Sequence, residues 1–291
     1  MPTSPKRVLA IHDLCSFGRC SLTAAIPVIS AMGVQVCPFP TAWFSNNLTY
    51  GSFHFTDFTA QMASFMDKWQ ALGLSYDALY SGFLADAGQI AVVKDALRRF
   101  ASKDTLMVVD PAMGDDGELY PVFSPDFVDE MRSLVAQATV TTPNFTEACL
   151  LLGIDPKSCA EVPGARQLRG MLEALLALGA RQAVITSVPA AGNRIKVASL
   201  DGATGEFFEV EVPRIDFSTC GTGDLFTSVL TGALLRGASL AQAAHLATTF
   251  ASDVIEYSRS CAGDRREGVA LEPRLGRLIE LLNDAAPGSR R

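Results

Sequence analysis

The run Cys220-Gly221-Thr222-Gly223-Asp224-Leu225-Phe226 holds the residue types of a phosphoryl-transfer site. Behind it, Leu225 to Leu235 is apolar and rich in small residues and reads as a buried helix. A glycine turn opening such a helix leaves backbone N–H groups unpaired at its N-terminus, where the helix dipole is positive. Such an end binds anions, and glycine lets the backbone approach a phosphate with no Cβ in the way. An aspartate in an anion hole repels what the amides attract. It makes sense if Asp224 takes a proton from an attacking hydroxyl beside a transferring phosphoryl group. The plain alternative is a tight turn whose first-turn Asp favours the dipole.

Two further stretches carry acids and amides, Asp110-Pro111-Ala112-Met113-Gly114-Asp115 and Thr142-Pro143-Asn144-Phe145-Thr146-Glu147-Ala148. Asp110 ends an apolar strand and precedes a proline, so it is either a turn former or a hard oxygen ligand for Mg²⁺ on nucleotide phosphates. Asp115, in the loop Gly114 to Gly117, can act likewise or be a solvated loop residue. Glu147 falls in the first turn of a helix, where a carboxylate is favourable in any case. No G-x-x-x-x-G-K-[ST] run occurs, and no G-x-G-x-x-G follows the first strand. P-loop and dinucleotide-binding enzymes are therefore disfavoured.

Gly221 to Asp224 is similar to the anion-hole motif of the ribokinase-like superfamily, and the other two stretches narrow the resemblance to its pyridoxal/pyridoxamine kinase branch. It runs from about Val8 to about Ile255. The resemblance implies a three-layer α/β/α sandwich with a mostly parallel central sheet. It implies ATP-dependent phosphorylation of the 5′-hydroxymethyl of pyridoxal, pyridoxamine or pyridoxine. Asp224 would be the base and would also touch substrate, with Gly221, Thr222 and Gly223 forming the anion hole. Asn144, Thr186, Ser187 and Gly223 would approach the nucleotide. Asp110, Asp115, Thr142 and Glu147 would serve Mg²⁺ and a monovalent cation, K⁺ or Na⁺. A homodimer follows from the resemblance alone.

On the substrate side the resemblance points to Asp13, Phe44, Asn47 and Phe83. Here the chain departs from the family. Pyridoxal kinases carry Ser where Asp13 stands, and Leu48 replaces the Thr that contacts the pyridine in the family's F-S-N-H-T stretch. Some hydroxymethylpyrimidine kinases carry Asp at the position of Asp13, but they often have Cys in place of the anion-hole Asp. A kinase for hydroxymethylpyrimidine or a nucleoside is the first alternative. A non-catalytic nucleotide- or vitamer-binding module on the same fold is the second.

Short apolar runs read as strands and deliver most of these residues: Val8–Ile11, Val34–Cys37, Ala78–Ser81, Leu106–Val109, Ala138–Thr141 and Ala183–Thr186. The second is bounded by Pro38 and Pro40. Helices are expected over Leu22–Met32, Asp57–Leu72, Ala85–Phe100, Pro125–Ala136, Phe145–Leu152, Val162–Leu178, Leu240–Tyr257 and Pro273–Asn283. Thr41 to Phe55 reads as a loop or short ribbon, a candidate lid. Arg194–Leu200 and Glu206–Val212, joined through Asp201-Gly202, read as a hairpin. The tail from Ala285 is expected to fray. This alternation implies a mostly parallel sheet covered on both faces, with ligands at the carboxyl ends of its strands. No linker or repeat interrupts it, so residues 1–291 read as one domain, ordered from about residue 6 to about residue 285.

The 291 residues carry a net charge of −7, which argues against a nucleic-acid partner. The seven cysteines form no C-x-x-C pair and read as buried free thiols in a reducing compartment. The three histidines, His12, His54 and His245, lie at no zinc-site spacing. Neither a signal peptide nor an apolar run of membrane-spanning length is visible, so the cytoplasm is the expected location and no membrane partner is expected.

Overall fold

The computed structural model describes residues 4–159 and 162–285. Its strands are β1 (Arg7–Cys15), β2 (Gln35–Phe44), β3 (Phe55–Asp57), β4 (Ala78–Ser81), β5 (Leu106–Val109), β6 (Gly114–Asp115), β7 (Glu118–Leu119), β8 (Val140–Thr141), β9 (Gln182–Ala190), β10 (Arg194–Asp201) and β11 (Phe207–Pro213). Its helices are α1 (Ser21–Ala31), α2 (Thr59–Ala71), α3 (Ala87–Phe100), α4 (Pro125–Val135), α5 (Phe145–Leu152), α6 (Ala165–Ala177), α7 (Thr222–Leu235), α8 (Leu240–Ser260) and α9 (Leu275–Ala285). Nine strands form one sheet in the order β11-β10-β9-β8-β5-β4-β1-β2-β3, and β6 and β7 form a separate hairpin. The central pairings from β2 to β9 are parallel, whereas β3, β10 and β11 join antiparallel at the edges.

Successive side chains of a strand point to opposite faces, and the central strands are apolar on both. Leu9, Ile11, Leu79, Met107 and Val109 face one core, packed by α2 to α6 through residues such as Met62, Ile90, Met131, Ala148 and Leu172. Val8, Ala10, Tyr80 and Val108 face the other, packed by α1, α7, α8 and α9 through Val28, Val229, Phe250 and Leu278. This is the three-layer α/β/α arrangement expected from the resemblance. Parallel strands with both faces covered bring their carboxyl ends, and the loops that leave them, to one side of the molecule.

Several boundaries differ from the sequence expectation. β2 does not stop at Pro38 but runs through Pro38 and Pro40 to Phe44. The Gln35 N–H donates to the Lys6 carbonyl at 2.8 Å, so odd-numbered N–H groups face β1. The nitrogens of Pro38 and Pro40 therefore face the other way, where β3 pairs only with Ala42 to Phe44. No ladder donor is lost there, and proline is tolerated on an open edge. Beyond β2, the stretch read as a loop or ribbon holds a single 3₁₀ turn, Leu48–Tyr50, and then β3. Gly114 to Gly117, read as a loop, begins a small hairpin. Of the aromatic and methionine stripe on α2, Met62 and Met66 are buried but Phe65 is exposed. The frayed tail expected after Ala285 lies outside the described residues.

Candidate active site

The candidate catalytic, nucleotide, cation and substrate residues all line one cleft of about 540 Å³ at the carboxyl ends of the parallel strands. β1 carries Asp13, β2 ends at Phe44, and Phe83 follows β4. Asp110 follows β5, Thr142 and Asn144 follow β8, Thr186 and Ser187 lie on β9, and Gly221 to Asp224 open α7. Asp13 sits at an irregularity where the β1–β2 register shifts between His12 and Leu14. Such bulges re-aim side chains at sites.

Helix α7 begins three residues before the apolar run that marked it. Gly221 is its N-cap, at a φ of +87°. A Cβ there would lie 2.1 Å from the Arg19 carbonyl oxygen, so conformation and space both demand glycine. The Leu225 N–H closes the first turn on the Gly221 carbonyl at 2.9 Å. The N–H groups of Thr222, Gly223 and Asp224 precede that bond and form the helix N-terminus.

Asp224 is held from two sides. Its Oδ1 lies 2.8 Å from His12 Nε2, and its Oδ2 accepts the Ser21 N–H at 2.7 Å. Burial opposes its ionisation, but the His12 cation and the Ser21 N–H prevail and hold its carboxyl below the usual range. Sequence reasoning gave His12 no role. The ring is buried, with Nδ1 2.9 Å from Asp13 Oδ1. The Asp13 backbone N–H also lies 2.9 Å from Nδ1, but it can donate only to a neutral ring. Burial alone would favour that neutral ring. The charge of Asp224 and the hydrogen bonds to Asp13 and Asp224 outweigh it and push the imidazolium up to about 10. Gly82 makes the room, since a Cβ there would lie 2.0 Å from the ring. Ser21, a second residue sequence reasoning missed, donates its hydroxyl to Asp13 Oδ1 at 2.8 Å and adopts a left-handed φ of 54°. Strained backbone of this kind concentrates at functional sites.

Across the cleft, Asp110 accepts a hydrogen bond from Thr227 Oγ1 at 3.1 Å, and Thr227 Oγ1 lies 3.0 Å from Thr142 Oγ1. Asn144 caps α5 by accepting the Glu147 N–H at 2.9 Å, while Glu147 Oε2 accepts the Asn144 N–H at 2.8 Å. This capping box is a structural role for both. Glu147 Oε1 also accepts the Met113 N–H at 3.1 Å. Burial first, then repulsion from Asp224, raises the carboxyl of Asp110; burial, then repulsion from Asp110, raises that of Glu147. Asp115 is exposed and accepts the Asp116 N–H at 2.9 Å. Among the described residues no three acids, histidines or cysteines are grouped as a ready metal cage.

Ser187 has a left-handed φ of 55° where the β9–β10 register shifts, which turns Thr186 and Ser187 out of the ladder at the cleft wall. Phe44 stacks on Phe55 at 5.4 Å, and Phe83 lies 5.6 Å from Phe123, so both rings are braced from behind. Asn47 lines the cleft with its amide engaged: Nδ2 donates to the Arg266 carbonyl at 2.6 Å, and Oδ1 accepts from Thr49. Leu48 and Cys220 line it as well. Cys220 packs with Cys15 and Cys20, and its hydrogen bond with Cys20, then burial, raise the thiol of Cys220.

The family model for phosphomethylpyrimidine kinase matches residues 17–268. A protein of Bacteroides thetaiotaomicron, provisionally named phosphomethylpyrimidine kinase, superposes with a TM-score of 0.91 at 38% identity, over 96% of this chain and 95% of that one. A second crystal form of it contains pyridoxal and superposes at 0.88. Pyridoxal kinase from Lactobacillus plantarum superposes at 0.85 with 32% identity, over 97% and 99% of the two chains. The pyridoxal kinase of Deinococcus radiodurans is 29% identical over 83% of each chain.

Proposed function

Starting from the phosphomethylpyrimidine kinase family, to which this chain belongs, we propose that it is a kinase that transfers the γ-phosphoryl of ATP to the 5′-hydroxymethyl of a B6 vitamer. The observation that carries the reading is the opening of α7, where an ionised Asp224 stands beside the N–H groups of Thr222 and Gly223. A base and an anion cradle side by side suit attack of an alcohol on a phosphoryl group. The oxygen–phosphorus bond to the vitamer forms as the bond to ADP breaks, and the hydroxyl proton passes to Asp224. Pyridoxal kinases among the similar chains, and the pyridoxal in the Bacteroides crystal, favour a pyridoxal-type substrate over a pyrimidine.

Phe44 and Phe83 offer braced aromatic walls for a flat ring, and Asp13 offers a carboxylate to its polar groups. Asn144, Thr186, Ser187 and Gly223 face the nucleotide. Asp110 and Glu147 fit a hard cation, since two carboxylates raised by burial, Asp110 further by Asp224 and Glu147 further by Asp110, are relieved by a positive charge. Glu147 already accepts backbone N–H groups, so it would act on Mg²⁺ chiefly through water, with Asp110 nearer to the ion and Asp115 at the rim. Thr142 would serve a monovalent cation. Bound there, Mg²⁺ would neutralise phosphate charge. The reading also takes residues 1–291 as one domain, since one sheet serves both cores. It takes the protein as cytoplasmic; among the described residues no helix is long and apolar enough to cross a membrane. It takes it as a homodimer, for which the exposed aromatics Trp43, Phe53 and Phe55 along the β2–β3 edge offer an apolar surface.

Release of ADP measured over pyridoxal, pyridoxamine, pyridoxine, hydroxymethylpyrimidine and a nucleoside panel tests the assignment. Turnover of a B6 vitamer at a kcat/KM well above the others is expected. Turnover confined to the pyrimidine or a nucleoside would reassign the substrate. Stoichiometric vitamer binding without ADP would make the chain a binding module.

A further inference from the structure

Resting on that reading, we propose that His12 is a positioning residue for the base: its ring clamps Asp224 on one nitrogen and Asp13 on the other, fixing the carboxylate that receives the substrate proton. The geometry is two-sided. Nε2 lies 2.8 Å from Asp224 Oδ1, and Nδ1 lies 2.9 Å from Asp13 Oδ1. Histidine alone among side chains offers two opposed N–H donors on a rigid ring. Lysine would bring a charge on a flexible stem, and glutamine would bring no charge.

The surroundings are built for that ring. It is buried, Gly82 leaves the space its edge occupies, and the Tyr80 ring meets it edge-on at 6.4 Å. The titratable groups that act on it are few. Asp13 lies on its own strand, Tyr80 is on β4, Asp110 follows β5, and Asp224 is on α7. None of them is cationic, so the charges of Asp13 and Asp224 favour an imidazolium, and the elevated pKa agrees.

The consequence for the reaction is specific. Oδ1 is committed to His12 and Oδ2 to the Ser21 N–H. The carboxylate plane is therefore fixed, and only its remaining lone pairs meet the cleft. The adjacent cation also makes Asp224 a weaker base that stays ionised at low pH. That suits a loose phosphoryl transition state, in which the proton moves late. The same ring ties the base to Asp13 on the substrate side, so misplacing one carboxylate disturbs the other.

Histidine NMR can test the clamp, because the chain has three histidines. In the wild-type protein the His12 ring is expected to stay doubly protonated from pH 6 to pH 8, and in Asp224→Asn its titration is expected to fall by more than one pH unit. A wild-type His12 titrating near its ordinary value, or one that Asp224→Asn leaves unmoved, overturns the proposal. Kinetics supply the second arm. His12→Gln should lower kcat about ten- to a hundredfold, leave ATP affinity unchanged, and move the acid limb of the kcat–pH profile to higher pH. A lowered kcat with the acid limb in its wild-type place would reduce His12 to a packing residue. If wild-type protein turns over no vitamer, the substrate reading falls while the NMR result still decides the clamp.

Discussion

Asp224→Asn separates the base from the anion hole, and the structure says what else it changes. Two donors converge on this carboxylate, the His12 Nε2–H and the Ser21 N–H. Asparagine has one oxygen and one NH₂, so it cannot accept from both. The economical arrangement keeps the oxygen on Ser21 and turns the NH₂ toward His12, whose ring must then lose its Nε2 proton and accept. An imidazolium held near 10 gives up its charge at pH 7, which forfeits on the order of 4 kcal/mol at most. Relaxation and the neutral hydrogen bond return part of that. The variant should fold with lowered stability and bind Mg²⁺-ATP at least as tightly as wild type, since one negative charge leaves the cradle. Its kcat should fall by roughly 10²–10⁴-fold, the usual contribution of a placed base. ADP release at saturating vitamer gives kcat, and calorimetry gives nucleotide affinity. A folded Asp224→Asn protein with near-normal kcat would refute the base assignment and leave Asp224 as a first-turn acid favouring the dipole.

Gly221→Ala forces a Cβ to within 2.1 Å of the Arg19 carbonyl at a positive φ; it should cost about 1–3 kcal/mol and weaken ATP binding, and denaturant melts with unchanged midpoints would contradict the close approach. Asp110→Asn and Glu147→Gln should part company. Asp110→Asn removes a buried, repelled charge and should keep or raise stability while demanding more Mg²⁺ for half-maximal rate. Glu147→Gln can keep the capping box through its one oxygen but turns an NH₂ toward the Met113 N–H that Glu147 accepts, and should cost about 1–3 kcal/mol; Mg²⁺ titrations that match wild type for Asp110→Asn would remove it from the cation site. Stability should decline from pH 6 to pH 10: the raised His12 pKa stabilises fully below its unfolded value of 6.5 and is lost as pH rises through about 10. Asp110 and Glu147, also raised, cost more as they ionise, so they act in the same direction. Urea titrations across that range check this, and His12→Gln should flatten the slope.

The acids and glycines of the cleft were legible because each sits in a local pattern: a glycine turn before an apolar helix, an acid ending an apolar strand, an Asn three residues before a Glu. Partnerships between distant residues were not. His12 and Asp224 are separated by 212 positions, and no spacing rule joins them. Only the fold, which sets the end of β1 against the start of α7, does so. Gly82 and Ser21 were silent for the same reason, one defined by the ring it admits and the other by the two carboxylates it bridges. Strand limits failed where local rules were applied without topology. Pro38 and Pro40 looked like terminators, yet their nitrogens face an edge with no partner to donate to. Phe65 looked like core from its helical spacing, but α2 lies near that sheet edge and leaves the ring exposed.

The charge balance of the cleft explains its asymmetry. Asp13, Asp110, Asp115, Glu147 and Asp224 line it, and among the described lining residues His12 supplies the one side-chain cation. A polyanionic nucleotide entering such a cleft meets repulsion that the N-terminal amides of α7 offset only in part, since a helix end is worth about half a charge. The two halves solve this differently. At the base, an internal cation compensates Asp13 and Asp224, so Asp224 can be ionised before any ligand arrives. Around Asp110 and Glu147 the His12 cation reaches only Asp110 and offsets its burial in part, and burial still pushes both toward protonation. That half is poised to take its positive charge from outside, with the nucleotide. Placing a permanent cation there, as Thr142→Lys would, should therefore weaken the dependence of ATP binding on Mg²⁺. Leaving the dependence unchanged would show that Asp110 and Glu147 do not set it.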